Sequence, residues 1–130
     1  VKNVYSKPGI EIEVANDIPE IFLDIDTAVP LGLILNELLT NSYKYAFTGK
    51  EKGLIKIELK PVADGEYVLV YLDDGTGLPI ELDIQKTNSL GLRLIKQLTR
   101  QLAGEIKYSN ESGSRFELNL KTLETRNKIK

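Results

Sequence analysis

Ile10, Ile12 and Val14 alternate with Glu11 and Glu13, the two-residue period of a strand with one buried face. Asn16-Asp17 marks a turn, and Ile21, Leu23 and Ile25, set around Phe22 and Asp24, predict a second strand. The period then changes. Leu31, Ile34, Leu35, Leu38 and Ser42 recur at helical spacing, which predicts a helix to about Phe47, capped by Asp26 or Thr27, with Pro30 in its first turn. Ile55, Ile57 and Leu59 alternate with Lys56, Glu58 and Lys60, giving a third strand with one wet face. Asp64-Gly65 is a hairpin signal. Tyr67 to Leu72 is continuously apolar, as in a central strand.

The stretch from Asp73 to Ser89 is rich in Gly, Asp and Thr and reads as a loop. Leu94, Ile95, Leu98 and Leu102 form the buried stripe of a second helix over about 90–103, ended by Gly104. Two strands follow, near 105–109 and 115–121, with Asn110 and Gly113 in the turn between them. The order β-β-α-β-β-loop-α-β-β predicts an α+β fold. It is a two-layer α/β sandwich with a mixed, mostly antiparallel sheet covered on one face by helices. The 130 residues fit one domain, with 1–9 expected as a linker and 122–130 as a fraying polar tail.

Composition narrows the chemistry. A hydrophobic share of 42% and a charged share of 28% suit a globular domain. No apolar run reaches the roughly 20 residues of a membrane helix, and VKNVYSKPG holds no signal-peptide core. Without cysteine or histidine there is no disulfide, no His–metal site and no Ser–His or Cys–His pair. A formal charge of −2 argues against a dedicated nucleic-acid binder, but a local site for one phosphorylated small molecule stays open.

Glu37, Asn41 and Lys44, at i, i+4 and i+7, share one helix face opposite the leucine stripe. The Asn carbonyl suits Mg²⁺, the Lys can meet phosphate, and the Glu can orient or deprotonate a hydroxyl or water. A solvated helix face has the same pattern. In Asp73-Asp74-Gly75-Thr76-Gly77, two glycines let the backbone turn sharply beside a ligand. An Asp leaving a central strand can accept from the amine of adenine, where guanine has a carbonyl. An ordinary turn reads likewise. Asn88-Ser89-Leu90-Gly91-Leu92 opens the second helix, where free N–H groups bind phosphate. Gly91 permits close approach, and Leu90 and Leu92 are expected to anchor the helix start in the core. Ser112-Gly113-Ser114-Arg115-Phe116, weak by itself, precedes the last strand.

In this order the four segments resemble the N, G1, G2 and G3 boxes of the GHKL ATPase superfamily (gyrase, heat-shock chaperone ATPases, sensor histidine kinases). NELLTNSYKYAF and LAGEIKYSNESGSRFELNL resemble the short-lid histidine kinases most. The resemblance covers about 24–120 and implies the Bergerat, or histidine-kinase ATPase, fold. By matching position it implies ATP and Mg²⁺ as ligands. Glu37 is the implied general base, Asn41 the Mg²⁺ ligand and Lys44 a phosphate-meeting cation. Asp73 is the implied adenine acceptor. Gly75, Gly77, Leu90, Gly91, Leu92 and Ser114 complete the nucleotide site. Ser89 stands where a GxGxG pattern has its first glycine, and the 78–88 lid is short and lacks an F-box Phe.

The resemblance also implies transfer of the γ-phosphate to a histidine that this chain does not contain. The acceptor is expected on an upstream dimerisation domain that passes phosphate to a response regulator. The start at Val1 reads as a continuation from that domain. The fragment is expected to be monomeric and nearly inactive alone. The full protein is expected to be a homodimer, placed in the cytoplasm or as the cytoplasmic part of a membrane-bound sensor. Neither nucleic acid nor membrane is an expected partner of this domain. The alternatives are an anti-sigma-factor-type serine kinase of the same fold and a non-catalytic nucleotide- or partner-binding domain.

Overall fold

The computed structural model describes residues 2–7, 10–47, 51–75, 90–110 and 112–128. The elements run β1 (Lys2–Lys7), β2 (Ile10–Asp17), α1 (Ile25–Asn41), a π-helical turn (Ser42–Ala46), β3 (Lys52–Ala63) and β4 (Glu66–Asp73). They continue with α2 (Leu90–Gln101), β5 (Ile106–Asn110), β6 (Ser114–Lys121) and α3 (Leu123–Lys128). Six strands make one sheet in the order β1-β2-β3-β4-β6-β5. β2 and β3 are parallel, and the other neighbouring pairs are antiparallel.

Side-chain alternation puts the core on one face. β3 turns Gly53, Ile55, Ile57 and Leu59 inward, and β6 turns Ser114, Phe116, Leu118 and Leu120 inward. Onto these pack Leu31, Ile34 and Leu38 of α1 and Leu92, Ile95 and Leu98 of α2, as the helical stripes predict. On the other face Glu58 pairs with Lys56 at 3.1 Å and Lys60 at 3.0 Å, and Arg115 pairs with Glu117 at 2.8 Å. Val70 lies between Glu58 and Glu117 in register and is buried, as expected beneath long charged side chains with apolar stems.

The strand expected around Ile21, Leu23 and Ile25 does not form. Both edges of β2 are already taken, by β1 and β3. A parallel β2–β3 pair needs a crossover, and α1 supplies it. Ile21 and Leu23 still pack on the core from an irregular segment, while Ile25 opens α1. Most of the segment expected as linker is instead β1, paired with β2 from Lys2↔Ala15 to Lys7↔Ile10.

Asp24, rather than Asp26 or Thr27, occupies the N-cap position of α1. Pro30 consequently sits inside the helix, and its missing N–H leaves the Asp26 carbonyl without a helical donor. The expected fraying tail supplies one. Arg126 Nη2 donates to Asp26 O at 3.3 Å, and Nη1 donates to Thr27 Oγ1 at 3.2 Å and Lys121 O at 2.6 Å. Asp24 Oδ1 accepts from the Thr27 hydroxyl at 2.8 Å and Leu123 N–H at 3.3 Å. Burial disfavours this carboxylate, but the Thr27 and Leu123 hydrogen bonds, with Arg126 nearby, hold its pKa below the usual range. Among the described residues, no helix is long and apolar enough to cross a membrane.

Candidate nucleotide site

Asp73 ends the central strand β4 with its carboxylate turned inward and only 7% of the residue exposed. Three segments hold it. Oδ1 accepts from the backbone N–H groups of Gly75 at 3.0 Å and Ser114 at 3.2 Å. Oδ2 accepts from the Ser42 hydroxyl at 2.7 Å. Ser42 in turn lies 2.7 Å from the Tyr71 hydroxyl, which donates to it. Burial, partly offset by the Ser42 hydrogen bond and reinforced by the Asp73 charge, pushes the Tyr71 phenol well above its ordinary pKa. It stays a neutral donor.

The β5–β6 turn fits closely under Asp73. Gly113 adopts φ +135°, and its N–H donates to Asn110 Oδ1 at 3.3 Å. A β-carbon there would collide with the Asp73 carbonyl oxygen and lie 2.9 Å from Asp74 Cα. Asp74 is tied to β3 instead, accepting from Leu54 N–H at 2.7 Å and donating its own N–H to Leu54 O at 3.1 Å.

Beside Asp73, α1 meets α2. A β-carbon on Gly91 would lie 3.0 Å from Glu37 Oε2, 3.6 Å from Asn41 Nδ2 and 3.8 Å from Asn41 Oδ1. The backbone of the α2 start therefore stands directly against the two polar side chains. A cavity of about 280 Å³ opens here, lined by Glu37, Leu90, Gly91, Arg93, Leu94 and Gln97. Among the described residues, no three His, Cys, Asp or Glu side chains cluster as a metal cage. The donor set fits Mg²⁺ held by one amide oxygen, with water and phosphate completing the shell.

The structure thus brings together Glu37, Asn41 and Gly91, and separately Asp73, Gly75 and Ser114. The Ser42 peptide neighbour of Asn41 joins the two groups. Lys44 goes elsewhere. It lines a largely apolar cavity of about 400 Å³ with Ile12, Val14, Leu39, Thr40, Tyr43 and Ile55. The π-helical winding that begins at Ser42 adds residues per turn, so the i+7 spacing from Glu37 no longer returns to one face. Among the described residues, Arg93 is the cation that lines the Glu37 cavity. Leu92 anchors the α2 start in the core as expected, but Leu90 does not, being 81% exposed. Gly77 and the lid expected at 78–88 lie outside the described residues. Sequence reasoning missed the roles of Ser42 and Tyr71. The signal was a hydroxyl within each apolar pattern, since buried hydroxyls find partners.

Solved structures place this architecture in one class. The histidine kinase domain of the Erythrobacter litoralis EL346 blue-light activated histidine kinase superposes with a TM-score of 0.81 at 22% identity, over 93% of this chain and 55% of that one. The Acinetobacter baumannii histidine kinase AdeS superposes with a TM-score of 0.68 at 25% identity, over 86% of this chain and 55% of that one. The fold is that of a histidine-kinase ATPase domain. The chain belongs to the Histidine kinase-, DNA gyrase B-, and HSP90-like ATPase family, whose profile matches residues 26–124. Among curated relatives, Blue-light-activated histidine kinase 2 of Erythrobacter litoralis is 29% identical over 82% of this chain. The sensor histidine kinase PdtaS of Mycolicibacterium smegmatis is 36% identical over 65% of it. The chain spans 30% and 17% of the lengths of these two relatives.

Proposed function

We propose that this domain binds Mg-ATP and donates the γ-phosphate to a histidine on a separate dimerisation domain of a sensor kinase, from which a response regulator receives it. The observation that carries this reading is Asp73, a buried carboxylate fixed by donors from three segments and so preset to accept the adenine amine. Gly91 supports it at the other end. Its lack of a side chain lets the α2 start approach Glu37 and Asn41, where helix N–H groups favour phosphate.

Each residue then has a part. Asp73 selects the base. Asn41 offers the amide oxygen for Mg²⁺, which when bound neutralises phosphate charge. Arg93 takes the phosphate-facing place expected of Lys44. Glu37 orients the incoming imidazole or takes its proton. Phosphoryl transfer of this kind depends mainly on positioning and charge, and the acceptor supplies the nucleophile. The domain works on the cytoplasmic side, where ATP is available.

The test is calorimetric titration of ATP and GTP, with and without Mg²⁺, into this chain and its Asp73→Asn variant. It is followed by phosphotransfer from ATP to a histidine-bearing dimerisation domain or a serine-bearing antagonist protein. ATP-selective binding that Asp73→Asn weakens, with label on the histidine, is the expected result. Label on serine would move the domain to the serine kinases, and no binding at millimolar ATP would overturn the nucleotide reading.

A further inference from the structure

A carboxylate has about four acceptor positions, two on each oxygen. Asp73 Oδ1 already accepts from Gly75 and Ser114 N–H groups. Among the described residues, Oδ2 accepts only from Ser42. The remaining acceptor position is therefore on the oxygen that Ser42 holds. The hydroxyl of Ser42 has one hydrogen and its direction is set from behind. The Tyr71 hydroxyl donates to Ser42 Oγ at 2.7 Å, closer than its other acceptor, Leu38 O at 3.2 Å. The Ser42 hydrogen then points to Asp73.

We propose that Ser42, oriented by Tyr71, is a positioning residue for 6-aminopurine recognition, fixing Asp73 so that Oδ2 takes the exocyclic amine. This rests on the nucleotide reading above and deepens it. The relay has a second consequence. With its hydrogen committed to Asp73, Ser42 offers no donor to a 6-oxopurine, whose carbonyl oxygen would face a carboxylate unsatisfied. Selectivity thus comes from the Tyr71–Ser42–Asp73 chain rather than from the carboxylate alone. Because Ser42 follows Asn41 in the chain, the same residue also links the amine acceptor to the proposed metal ligand.

A ligand that lacks the amine separates positioning from mere packing. This chain and its Ser42→Ala and Tyr71→Phe variants are titrated with ATP, purine riboside triphosphate (no 6-amine) and ITP (6-oxo), after far-UV dichroism shows each is folded. The expected result for Ser42→Ala is about tenfold weaker ATP binding, as for loss of about 1.4 kcal/mol, with purine riboside triphosphate unchanged. Tyr71→Phe should lower the ATP-to-ITP preference by freeing the Ser42 hydrogen. It also reports on the relay if Ser42→Ala does not fold. Equal weakening of ATP and the amine-free analogue, or no change in either preference, would overturn the proposal while leaving the nucleotide site standing. A parent chain that binds none of the three would instead overturn the nucleotide reading, and this proposal with it.

Discussion

The Arg126 guanidinium donates to the Asp26 carbonyl, the helical acceptor that Pro30 cannot serve. A six-residue helix at the end of the described chain thus completes the first turns of α1, which carries Glu37 and Asn41 nearer its other end. Arg126 also reaches Thr27 Oγ1 and Lys121 O. Truncation to Ala removes all three bonds, of which those to Thr27 Oγ1 and Lys121 O are part-buried. Arg126→Ala should lose about 1–3 kcal/mol in urea denaturation. Lysine lacks the planar fork and should recover only part of it. An unchanged midpoint for Arg126→Ala would show that α3 does not support α1.

Gly113 carries a different load. Its φ of +135° is open to glycine and costly for other residues, and its α-carbon lies against the Asp73 backbone. Gly113→Ala should destabilise the domain by at least about 2 kcal/mol. It should also weaken ATP binding in the folded fraction, because the turn relieves the clash by moving Asp73. Thermal melting with and without ATP checks both parts. A variant that melts like the parent would show that the turn adjusts freely.

Much of this was legible from sequence because burial writes a period into the chain. The β3 alternation from Ile55 to Leu59 appears as expected, and so does the second-helix stripe of Ile95, Leu98 and Leu102, with Leu94 only partly buried against it, since each depends on one face meeting one core. The parts that sequence misread depend on partners distant in the chain. Ile21 and Leu23 alternate like a strand, but strand pairing needs a free edge, and β1 and β3 had taken those of β2. Leu123–Lys128 is polar enough to fray, yet it is held by Asp24 and by a carbonyl that a proline left open. In the site, Glu37, Asn41 and Gly91 follow helical rules up to Asn41, where the π-helical turn begins and Lys44 leaves the expected face. No residue type in SYKYA announces that change of winding.

Asn41 gives the metal-side prediction. Its amide is the neutral hard-oxygen donor beside Gly91, with Glu37 the only carboxylate lining that cavity among the described residues. Asn41→Ala should leave metal-free ATP binding close to the parent level. It should abolish most of the gain from Mg²⁺, a loss of at least about tenfold in the Mg²⁺-dependent part. Titrating ATP at fixed protein with and without Mg²⁺ separates the two. Full Mg²⁺ enhancement in the variant would remove Asn41 as the ligand and leave Glu37 as the remaining candidate.

The solvent face of the sheet predicts an acid limb to stability. Hydrogen bonds from Lys60 and Lys56 hold the Glu58 pKa below the ordinary glutamate range, and Arg115 does the same for Glu117. A depressed folded-state pKa means that the stabilisation is fully present above the unfolded-state value. It is lost as pH falls through the folded-state value. The domain should therefore hold constant stability from these groups near neutrality and lose it below about pH 4.5, once glutamates of an unfolded chain begin to protonate. The lysine partners are half exposed or more, so salt should screen the effect. Glu58→Gln removes one member of the set. Its urea midpoint should fall less steeply with acid than that of the parent, and the two curves should draw together in 1 M salt. Parallel acid limbs at low salt would mean that the Lys56–Glu58–Lys60 cluster contributes nothing to folding, and that Val70 is held by packing alone.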